Sequence, residues 1–199
     1  MKKTLIAMAV LAASGAAMAQ SSVTLYGIAD IYVAKVKGQS AAAGSGGVNT
    51  SRLGFKGSED LGGGLSAIFQ FEQKLSLGDG STNDKLFDRQ ANVGLAGGFG
   101  TLKLGRNWNA MDDVFGASNS GFDSALSANA VWQNSYTGAA DAQLYYATPE
   151  FAGVSGAVST QLTGNVPAGA KRISAGHVKY AGGPVAVALG YETNEVGQK

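Results

Sequence analysis

The sequence contains no cysteine and only 3 prolines in 199 residues. Without cysteine there are no disulfides, so backbone pairing must hold the folded chain together. Long apolar runs are also missing, because beyond the N-terminal segment none approaches the roughly 20 residues that a membrane helix requires. If the chain enters a membrane, it therefore does so as strands.

A strong excess of one charge is lacking as well. The chain has 15 basic and 14 acidic residues, and removing Lys2 and Lys3 from the 15 leaves 13 basic residues in the rest of the chain. Such a balance argues against a nucleic-acid partner and against a generally basic surface. The cations that remain are therefore expected to act locally.

The first residues have the pattern of a secretory signal. Met1-Lys2-Lys3 is followed by an apolar run from Leu5 to Ala13 and then by Ala17-Met18-Ala19, a small-residue cleavage site. The run is too short to cross a bilayer as a helix, and the alternative is a buried N-terminal helix. We predict a signal peptide over residues 1–19 and a mature chain that begins at Gln20, outside the cytoplasm.

Cations alternate with large apolar side chains in the stretch "SRLGFKG". Successive side chains of a strand point to opposite faces, so Arg52 and Lys56 share a face with Gly54. Leu53 and Phe55 then occupy the other face. A half-buried soluble sheet would show this pattern, and so would a barrel wall with lipid on one side and water on the other.

The same alternation recurs along the chain and predicts about nine strands. The first is predicted as one long strand from Ser22 to Val33, followed by a Gly/Ala/Ser segment from Gly38 to Gly47. Glycine-rich tight turns alternate with longer polar connections, an asymmetry typical of outer-membrane barrels. No window has a sustained helical period, so the predicted fold class is all-β.

One connection, from Trp108 to Asp141, is much longer than the others and shows no clean alternation. It carries three acids, Asp112, Asp113 and Asp123. Loops of this length in compact proteins are usually functional or disordered. The two alternatives are therefore a functional loop and a floppy surface loop.

Four stretches occur in a fixed order: "QSSVTLYGIADIYV", "SRLGFKGSEDLGGGLSAIFQFE", "DRQANVGLAGGFGTLKLGRNW" and "YYATPEFAGVSG". Together they resemble the Gram-negative general porins of the Burkholderia, Bordetella and Neisseria type, over nearly all of the chain after residue 19. The resemblance implies an antiparallel transmembrane β-barrel of 16 strands in the outer membrane, in contact with lipid and usually a homotrimer. It also implies a water-filled channel for passive diffusion of ions and small hydrophilic solutes.

In such porins the third long loop folds into the pore as a constriction, which the resemblance assigns here to residues 108–141. The acids of this loop would then face a basic barrel wall. On this interpretation Arg52 and Lys56 point into the pore. Arg52 has the strongest support, because strand parity and motif position agree for it. Lys74 and Lys103 are supported as wall residues by parity alone.

The resemblance implies three further pore-wall positions, each of which departs in some way from the expected pattern. Arg89 lies in the "DRQ" motif but shares its parity with apolar residues, which a bulge or a position near the strand end would reconcile. Arg106 has the same conflict and sits where a strand gives way to the long loop. Tyr145 occupies a pore-facing position at which some anion-selective relatives carry arginine. This difference weakens the case for a strong anion preference without removing it.

Two other classes of function are alternatives to a channel. A barrel hydrolase would need a catalytic His or Ser, yet His177 is the single histidine and a polar wall residue is the simpler interpretation. No nucleotide-binding, hydrolase or zinc motif is present, so neither a cofactor nor a metal is predicted. A non-conducting structural or adhesive outer-membrane barrel is the second alternative.

The number of predicted strands is too small for the barrel that the resemblance implies. An odd, open sheet would leave unpaired backbone edges in hydrocarbon, and an eight-stranded barrel could not take in so long a loop. The expectation is that residues 20–199 form the N-terminal part of a porin β-barrel in a chain nearly twice as long. Alone, these residues are expected to form no stable channel.

Overall fold

The alternating segments form one antiparallel sheet in the computed structural model, which describes residues 21–118, 137–166 and 169–196. Nine strands make up this sheet, and each is hydrogen-bonded to the strand that precedes and follows it in the sheet order. A separate two-stranded hairpin lies between the first and second strands of the large sheet. The predictions of an all-β antiparallel fold and of about nine strands are confirmed.

The large sheet takes its strands in chain order, interrupted only by the hairpin strands β2 and β3. Its strands are β1 (Ser22–Ile28), β4 (Arg52–Gly62), β5 (Leu65–Lys74), β6 (Gln90–Gly97), β7 (Gly100–Trp108), β8 (Ala139–Ala147), β9 (Val154–Gln161), β10 (Lys171–Gly182) and β11 (Val185–Val196). The hairpin consists of β2 (Ile31–Ala34) and β3 (Ala42–Ser45). One helix, α1 (Asp112–Ser118), and one 3₁₀ turn, Thr163–Asn165, complete the described elements.

Tight turns and long connections emerge from opposite ends of the sheet. At one end, glycines with positive φ close the β4–β5 turn, where Gly62, Gly63 and Gly64 have φ of 83°, 63° and 77°. A side chain would be strained in this backbone conformation, which is why glycine fills the turn. At the other end lie the connections that carry the hairpin and α1. The loop asymmetry predicted from the sequence is therefore present.

Two sequence-based expectations about local structure are corrected. The predicted first strand, Ser22–Val33, is two strands, because the chain leaves the large sheet after Ile28 and Ile31–Ala34 pairs with β3 instead. The Gly/Ala/Ser segment from Gly38 to Gly47 contains β3. The long connection also contains a helix, α1, whose 7 residues are too few to give a sustained helical period in the sequence.

Asp30 explains why the first strand breaks where it does. Its carboxylate accepts hydrogen bonds from the backbone N–H groups of Gly47 (3.0 Å), Val48 (2.9 Å) and Asn49 (2.8 Å). Its own backbone N–H donates to Ser51 Oγ at 2.9 Å, and Ser51 Oγ donates back to the Asp30 carbonyl at 2.8 Å. These bonds tie the segment that follows β3 to the residue at which the chain leaves β1.

The two faces of the sheet are exposed in the opposite sense to those of a water-soluble sheet. Large apolar side chains such as Leu25 (63% exposed) and Val93 (56% exposed) stand open on one face. On the other, Glu72 and Asn92 are each only 3% exposed. Water-soluble sheets bury the apolar side, so this arrangement is typical of a wall with hydrocarbon outside and polar groups inside. We call these the apolar face and the polar face.

Among the described residues, no helix combines the length and the apolar character needed to cross a membrane.

Candidate functional site

The polar face is defined by the cross-strand pairing. Directly paired residues of neighbouring antiparallel strands project to the same face. Thr24, Lys56, Gln70 and Asn92 form one such row across β1, β4, β5 and β6. The pairing of Arg52 with Lys74, and of Lys103 with Tyr145, belongs to parallel rows of that face. The predicted wall cations Arg52, Lys56, Lys74 and Lys103 thus lie on the polar face, as their parity indicated.

Glu72 is the centre of a charged cluster on this face, near the end with the long connections. Its Oε1 lies 2.5 Å from Arg89 Nε and 4.0 Å from Arg52 Nη1. Its Oε2 accepts a hydrogen bond from the Tyr26 hydroxyl at 2.9 Å, and that hydroxyl accepts one from Gln70 Nε2 at 2.8 Å. We call these five residues the arginine cluster.

The position of Arg89 resolves the conflict between its motif and its parity. Arg89 precedes β6, and its backbone N–H donates to the Glu72 carbonyl at 3.1 Å, so strand alternation does not fix its side chain. The guanidinium turns to the Glu72 carboxylate and stacks 5.0 Å from the centroid of the Trp108 ring. Arginine is suited to this double role, because its planar group can pair and stack at once.

Arg106 is placed differently from the other predicted wall cations. It lies opposite Ala91, on the face that carries Leu104, next to a register shift between Gly105 and Asn107. Its Nη1 lies 2.6 Å from Asp141 Oδ1. Lys85 Nζ lies 2.6 Å from the other oxygen of that carboxylate. The structure does not bring Arg106 to the arginine cluster.

Lys56 and Lys103 line a concavity of about 330 Å³ on the polar face, nearer the tight-turn end. Lys56 lies over the Tyr26 ring, 5.4 Å from its centroid, and Lys103 lies over the Tyr145 ring at 4.7 Å. Lys74 is exposed and is not among the residues lining this concavity. Within the described ranges, no carboxylate lies within 4.0 Å of the Lys56 or Lys103 ammonium.

The two ends of the long connection are tied together at the polar face. Asn109, which is fully buried, donates from its backbone N–H to the Gly138 carbonyl at 3.1 Å. Its side-chain amide donates to the Thr137 carbonyl and, at 2.7 Å, to Glu192 Oε2. The Thr137 N–H donates to the other Glu192 oxygen at 2.8 Å. Glu192 on β11 therefore holds both ends of the connection.

The segment that follows Asn109 packs against strands β8 to β10. The Ala110 N–H donates to Ser159 Oγ at 2.9 Å, and the Ala110 carbonyl lies 2.6 Å from His177 Nδ1. The Tyr145 hydroxyl donates to Asp113 Oδ2 at 2.6 Å. The same oxygen lies 3.8 Å from His177 Nδ1. We call this set of contacts the loop anchor.

The acids predicted for the loop are thus only partly accounted for. Asp113 takes part in the loop anchor, and the backbone N–H of Asp112 donates to Asn109 Oδ1 at 3.3 Å. Asp123 lies outside the described residues, as do the proposed signal peptide and most of the 108–141 segment. In the described part of the chain, no group of three or more His, Asp or Glu side chains is arranged to hold a metal ion.

Sequence reasoning missed the carboxylates that organise the site. Alternation did put Glu72 on the polar side of its strand, but its partners Tyr26 and Arg89 are 46 and 17 residues away in the chain. Glu192 is likewise 83 residues from Asn109. The signal that could have indicated both is a carboxylate that is the single acid on the polar face of its strand, as Glu72 is in β5 and Glu192 is in β11.

An antiparallel sheet with an apolar outer face and a polar, loop-covered inner face defines the class of outer-membrane barrel proteins. Comparison with known families agrees, because the Gram-negative porin family matches residues 4–199. The chain belongs to this family and is an outer-membrane protein. Porins are channels rather than enzymes, which sets aside the barrel hydrolase.

Individual relatives agree with the family assignment. The chain is 40% identical over 209 residues to outer membrane porin protein 32 of Delftia acidovorans, covering 96% of the chain and 59% of that protein. It is 41% identical over 175 residues to the major outer membrane protein P.IB of Neisseria meningitidis, covering 83% of the chain and 51% of that protein. The chain therefore spans little more than half the length of these relatives.

The fold is similar to that of a solved porin. The structure titled anion-selective porin from Comamonas acidovorans superposes with a TM-score of 0.72 at 29% sequence identity. The match covers 89% of this chain and 59% of that one. The prediction of a porin-type antiparallel sheet is confirmed by this similarity.

Proposed function

We propose that this chain supplies nine strands of the wall of a water-filled channel, through which ions and small hydrophilic solutes cross the outer membrane by passive diffusion. The single observation that carries the proposal is that apolar side chains are exposed on one face of the sheet, whereas polar side chains are buried on the other. Val158 (58% exposed) and Leu189 (80% exposed) stand open on the apolar face, whereas polar groups crowd the opposite face. Hydrocarbon would cover the first face, and water would wet the second.

A wall of nine strands has two edges, β1 and β11, each with one neighbour in the described sheet. Unpaired backbone groups are costly in hydrocarbon, so further strands are needed to close a barrel. The relatives are longer than this chain by a margin that would accommodate them. We therefore infer that the channel is formed by a larger closed barrel, of which residues 20–199 are a part.

The loop anchor supports a role for the long connection as a constriction. Its described beginning, residues 109–115, lies on the polar face rather than pointing away from the sheet. Asp113 is thereby held near Lys103, since both contact Tyr145, the residue that pairs with Lys103. Acidic and basic groups on the wall of a narrow passage would bias which ions pass.

Homotrimer formation is part of the proposal and rests on the family. The apolar face near the β1 edge contains two small residues, Gly27 opposite Leu53 and Gly57 opposite Val23, which suit close packing between subunits. Outer-membrane lipid would cover the rest of the apolar face. Chemical crosslinking of the protein extracted from outer membranes should give a trimer, and crosslinking that stops at a monomer would contradict this part.

Channel activity is tested by conductance in a planar bilayer. Protein extracted from outer membranes in its folded form should give stepwise currents that are proportional to voltage. The same preparation after heating to the unfolded state is the matched control and should give none. A folded preparation that inserts into the bilayer without current steps would favour the non-conducting structural or adhesive barrel instead.

A further inference from the structure

Met111 is the single methionine of the sequence beyond Met18, and it lies in the segment that the loop anchor holds against the sheet. We propose that Met111 is a sulfoxidation site, at which oxidation of the thioether by hydrogen peroxide loosens residues 110–115 from the polar face. The inference goes beyond the proposed channel function, because it assigns a chemical modification to the loop anchor and is tested without conductance. Three observations support it.

The first observation is that the Met111 side chain occupies the space of an absent side chain on β11. Gly190 pairs with His177 of β10, and a Cβ atom at Gly190 would lie 2.5 Å from Met111 Sδ and 3.2 Å from Met111 Cε. Non-bonded heavy atoms are best separated by about 3.5 to 4.0 Å, so the thioether fills this space. Gly190 is not among the glycines with positive φ. Its lack of a side chain is therefore explained by the close approach of Met111.

The second observation is that the surroundings of the thioether are largely apolar. It packs against a cluster of buried side chains, Ala110, Tyr145, Ala157 and Ala175. The polar groups of the loop anchor are already engaged, the Tyr145 hydroxyl with Asp113 and His177 Nδ1 with the Ala110 carbonyl. A sulfoxide oxygen needs a hydrogen-bond donor, so it would have to break one of these contacts or leave the space beside Gly190.

The third observation is that α1 depends on the backbone of Met111. The Met111 carbonyl accepts hydrogen bonds from the N–H groups of Val114 and Phe115, both at 3.1 Å, and the Met111 N–H donates to Asn109 Oδ1 at 2.9 Å. A helix of 7 residues is too short to be stable by itself, so its position depends on contacts with the sheet. A displaced Met111 side chain would therefore disturb the first turn of the helix as well.

The reaction transfers one oxygen atom to sulfur. A sulfur lone pair attacks one peroxide oxygen, the S–O bond forms as the O–O bond breaks, and the other oxygen leaves as water with both peroxide protons. Sulfur is oxidised by two electrons and peroxide is reduced by two. Met111 is partly exposed, so peroxide can reach it. Methionine sulfoxide reductase reverses the step with two electrons from thiols, which have no cysteine to act on in this chain.

Peroxide treatment of the folded, membrane-extracted protein tests the site. Tandem mass spectrometry should locate one added oxygen at Met111. Hydrogen exchange of the Ala110, Val114 and Phe115 amides should then become roughly tenfold faster, because the buried sulfoxide oxygen destabilises their hydrogen bonds. The amides of residues 47–49, in another connection, should be unchanged. Methionine sulfoxide reductase with dithiothreitol should restore the slow exchange.

Two variants of Met111 separate the effect of oxidation from other effects of peroxide. Met111→Leu keeps a similar apolar volume and cannot form a sulfoxide, so peroxide should leave its exchange unchanged. Met111→Gln introduces a polar group of similar length and should exchange fast before any peroxide is added. Oxidation of Met111 that leaves exchange unchanged would overturn the proposal. Equal acceleration by peroxide in Met111→Leu would overturn it as well.

Gly190→Ala tests the contact without oxidation, because the new Cβ atom would displace the sulfur. This variant should exchange fast at residues 110–115 before peroxide is added. Gly176→Ala is the matched control, since Gly176 also lies within a strand and its added Cβ would meet no atom closer than 3.4 Å. Heat-modifiable migration on gels verifies folding, and the comparison of Met111→Leu with Met111→Gln decides if Gly190→Ala does not fold.

A folded Gly190→Ala protein with unchanged exchange would mean that the thioether does not hold the segment, and it would overturn the proposal. Hydrogen exchange reports on the loop anchor alone. A protein that responds to peroxide as expected but carries no current would therefore contradict the channel function while leaving the modification site intact.

Discussion

The arginine cluster and the lysine concavity lie on the same face of the same sheet, yet their charges are treated in opposite ways. In the cluster, the side chains of Arg52 and Arg89 are 17% and 11% exposed and share one buried carboxylate. In the concavity, Lys56 is exposed and stacks on an aromatic ring. The first arrangement stabilises the wall, and the second leaves positive charge available to a solute.

The comparison shows that counting cations on a pore-facing strand is not enough to infer ion preference. Each charge has to be weighed against the groups that compensate it within a few ångströms, because that contact decides how much field reaches the water. Arg52 has the strongest support from the sequence. Its guanidinium also donates to the Thr50 carbonyl at 3.0 Å and to Asn49 Oδ1, so it is committed to local contacts.

The largest expected effect follows from removing the shared carboxylate. Glu72→Gln leaves two nearly buried guanidinium groups without their counter-charge, and breaking a buried ion pair in this way costs about 3 kcal/mol. Denaturant unfolding of the membrane-extracted protein measures the loss. Lys56→Gln, which removes an exposed charge, should stay within about 0.5 kcal/mol of the unaltered protein. Equal stability of the two variants would erase the distinction between the regions.

Ion preference provides the second test. A charge about 10 Å from a passing ion in water contributes roughly 0.4 kcal/mol, which corresponds to about a twofold change in ion preference. Lys56→Gln and Lys103→Gln should each shift the reversal potential toward cations by this order in a salt gradient, and more at low salt. Arg52→Ala should shift it in the same direction but less. A larger shift for Arg52→Ala would reverse the distinction between the two regions.

Tyr145 links Lys103 of the concavity to the loop anchor, because the Lys103 ammonium lies over its ring and its hydroxyl donates to Asp113. Tyr145→Phe keeps the ring and removes a hydrogen bond to a carboxylate, worth about 1.5 kcal/mol, so backbone amides near Ala110 should exchange roughly tenfold faster. Hydrogen exchange with mass spectrometry measures this. Tyr146→Phe is the control, since its hydroxyl donates to the Phe99 carbonyl. Unchanged exchange in Tyr145→Phe would remove that hydroxyl from the loop anchor.

Alternation in the sequence was sufficient to predict the sheet. Strand parity depends on the backbone pleat, so the facing of Arg52, Lys56 and Lys103 follows once a strand is recognised. Parity fails where the backbone leaves the hydrogen-bonded sheet. Arg89 lies before β6, and Asp30 lies between β1 and β2, so neither follows the alternation of its neighbours.

The parts that could not be predicted depend on long-range contacts. The compensation of Arg89 by Glu72 and the clamping of the long connection by Glu192 join segments that are far apart in the sequence. Their pairing depends on strand register, which is set by the whole sheet rather than by any single stretch. Residue type and parity gave the candidates for the site, but only the register shows which charges are compensated.

The smallest expected effect extends the comparison to an anion, Asp30, which is compensated by backbone dipoles instead of arginine. Hydrogen bonds from the N–H groups of Asn49, Val48 and Gly47, the first being the largest contribution, hold the pKa of Asp30 below its ordinary value. A lowered pKa means that the ionised carboxylate stabilises the hairpin fully above the ordinary value, about 3.9. This stabilisation is lost as the pH falls through the lower, folded-state pKa.

Asp30→Asn should therefore speed hydrogen exchange of the amides of Gly47, Val48 and Asn49 at pH 6. The difference from the unaltered protein should shrink once the pH falls below the folded-state pKa, because both side chains are then neutral. Asp79→Asn is the control, since Asp79 sits in another connection, where Ser76 and Ser81 lower its pKa to about 2. That variant should leave the three hairpin amides unchanged. A difference between Asp30→Asn and the unaltered protein that persists equally at low pH would mean that side-chain shape, rather than the ionised carboxylate, ties the segment after β3 to the end of β1.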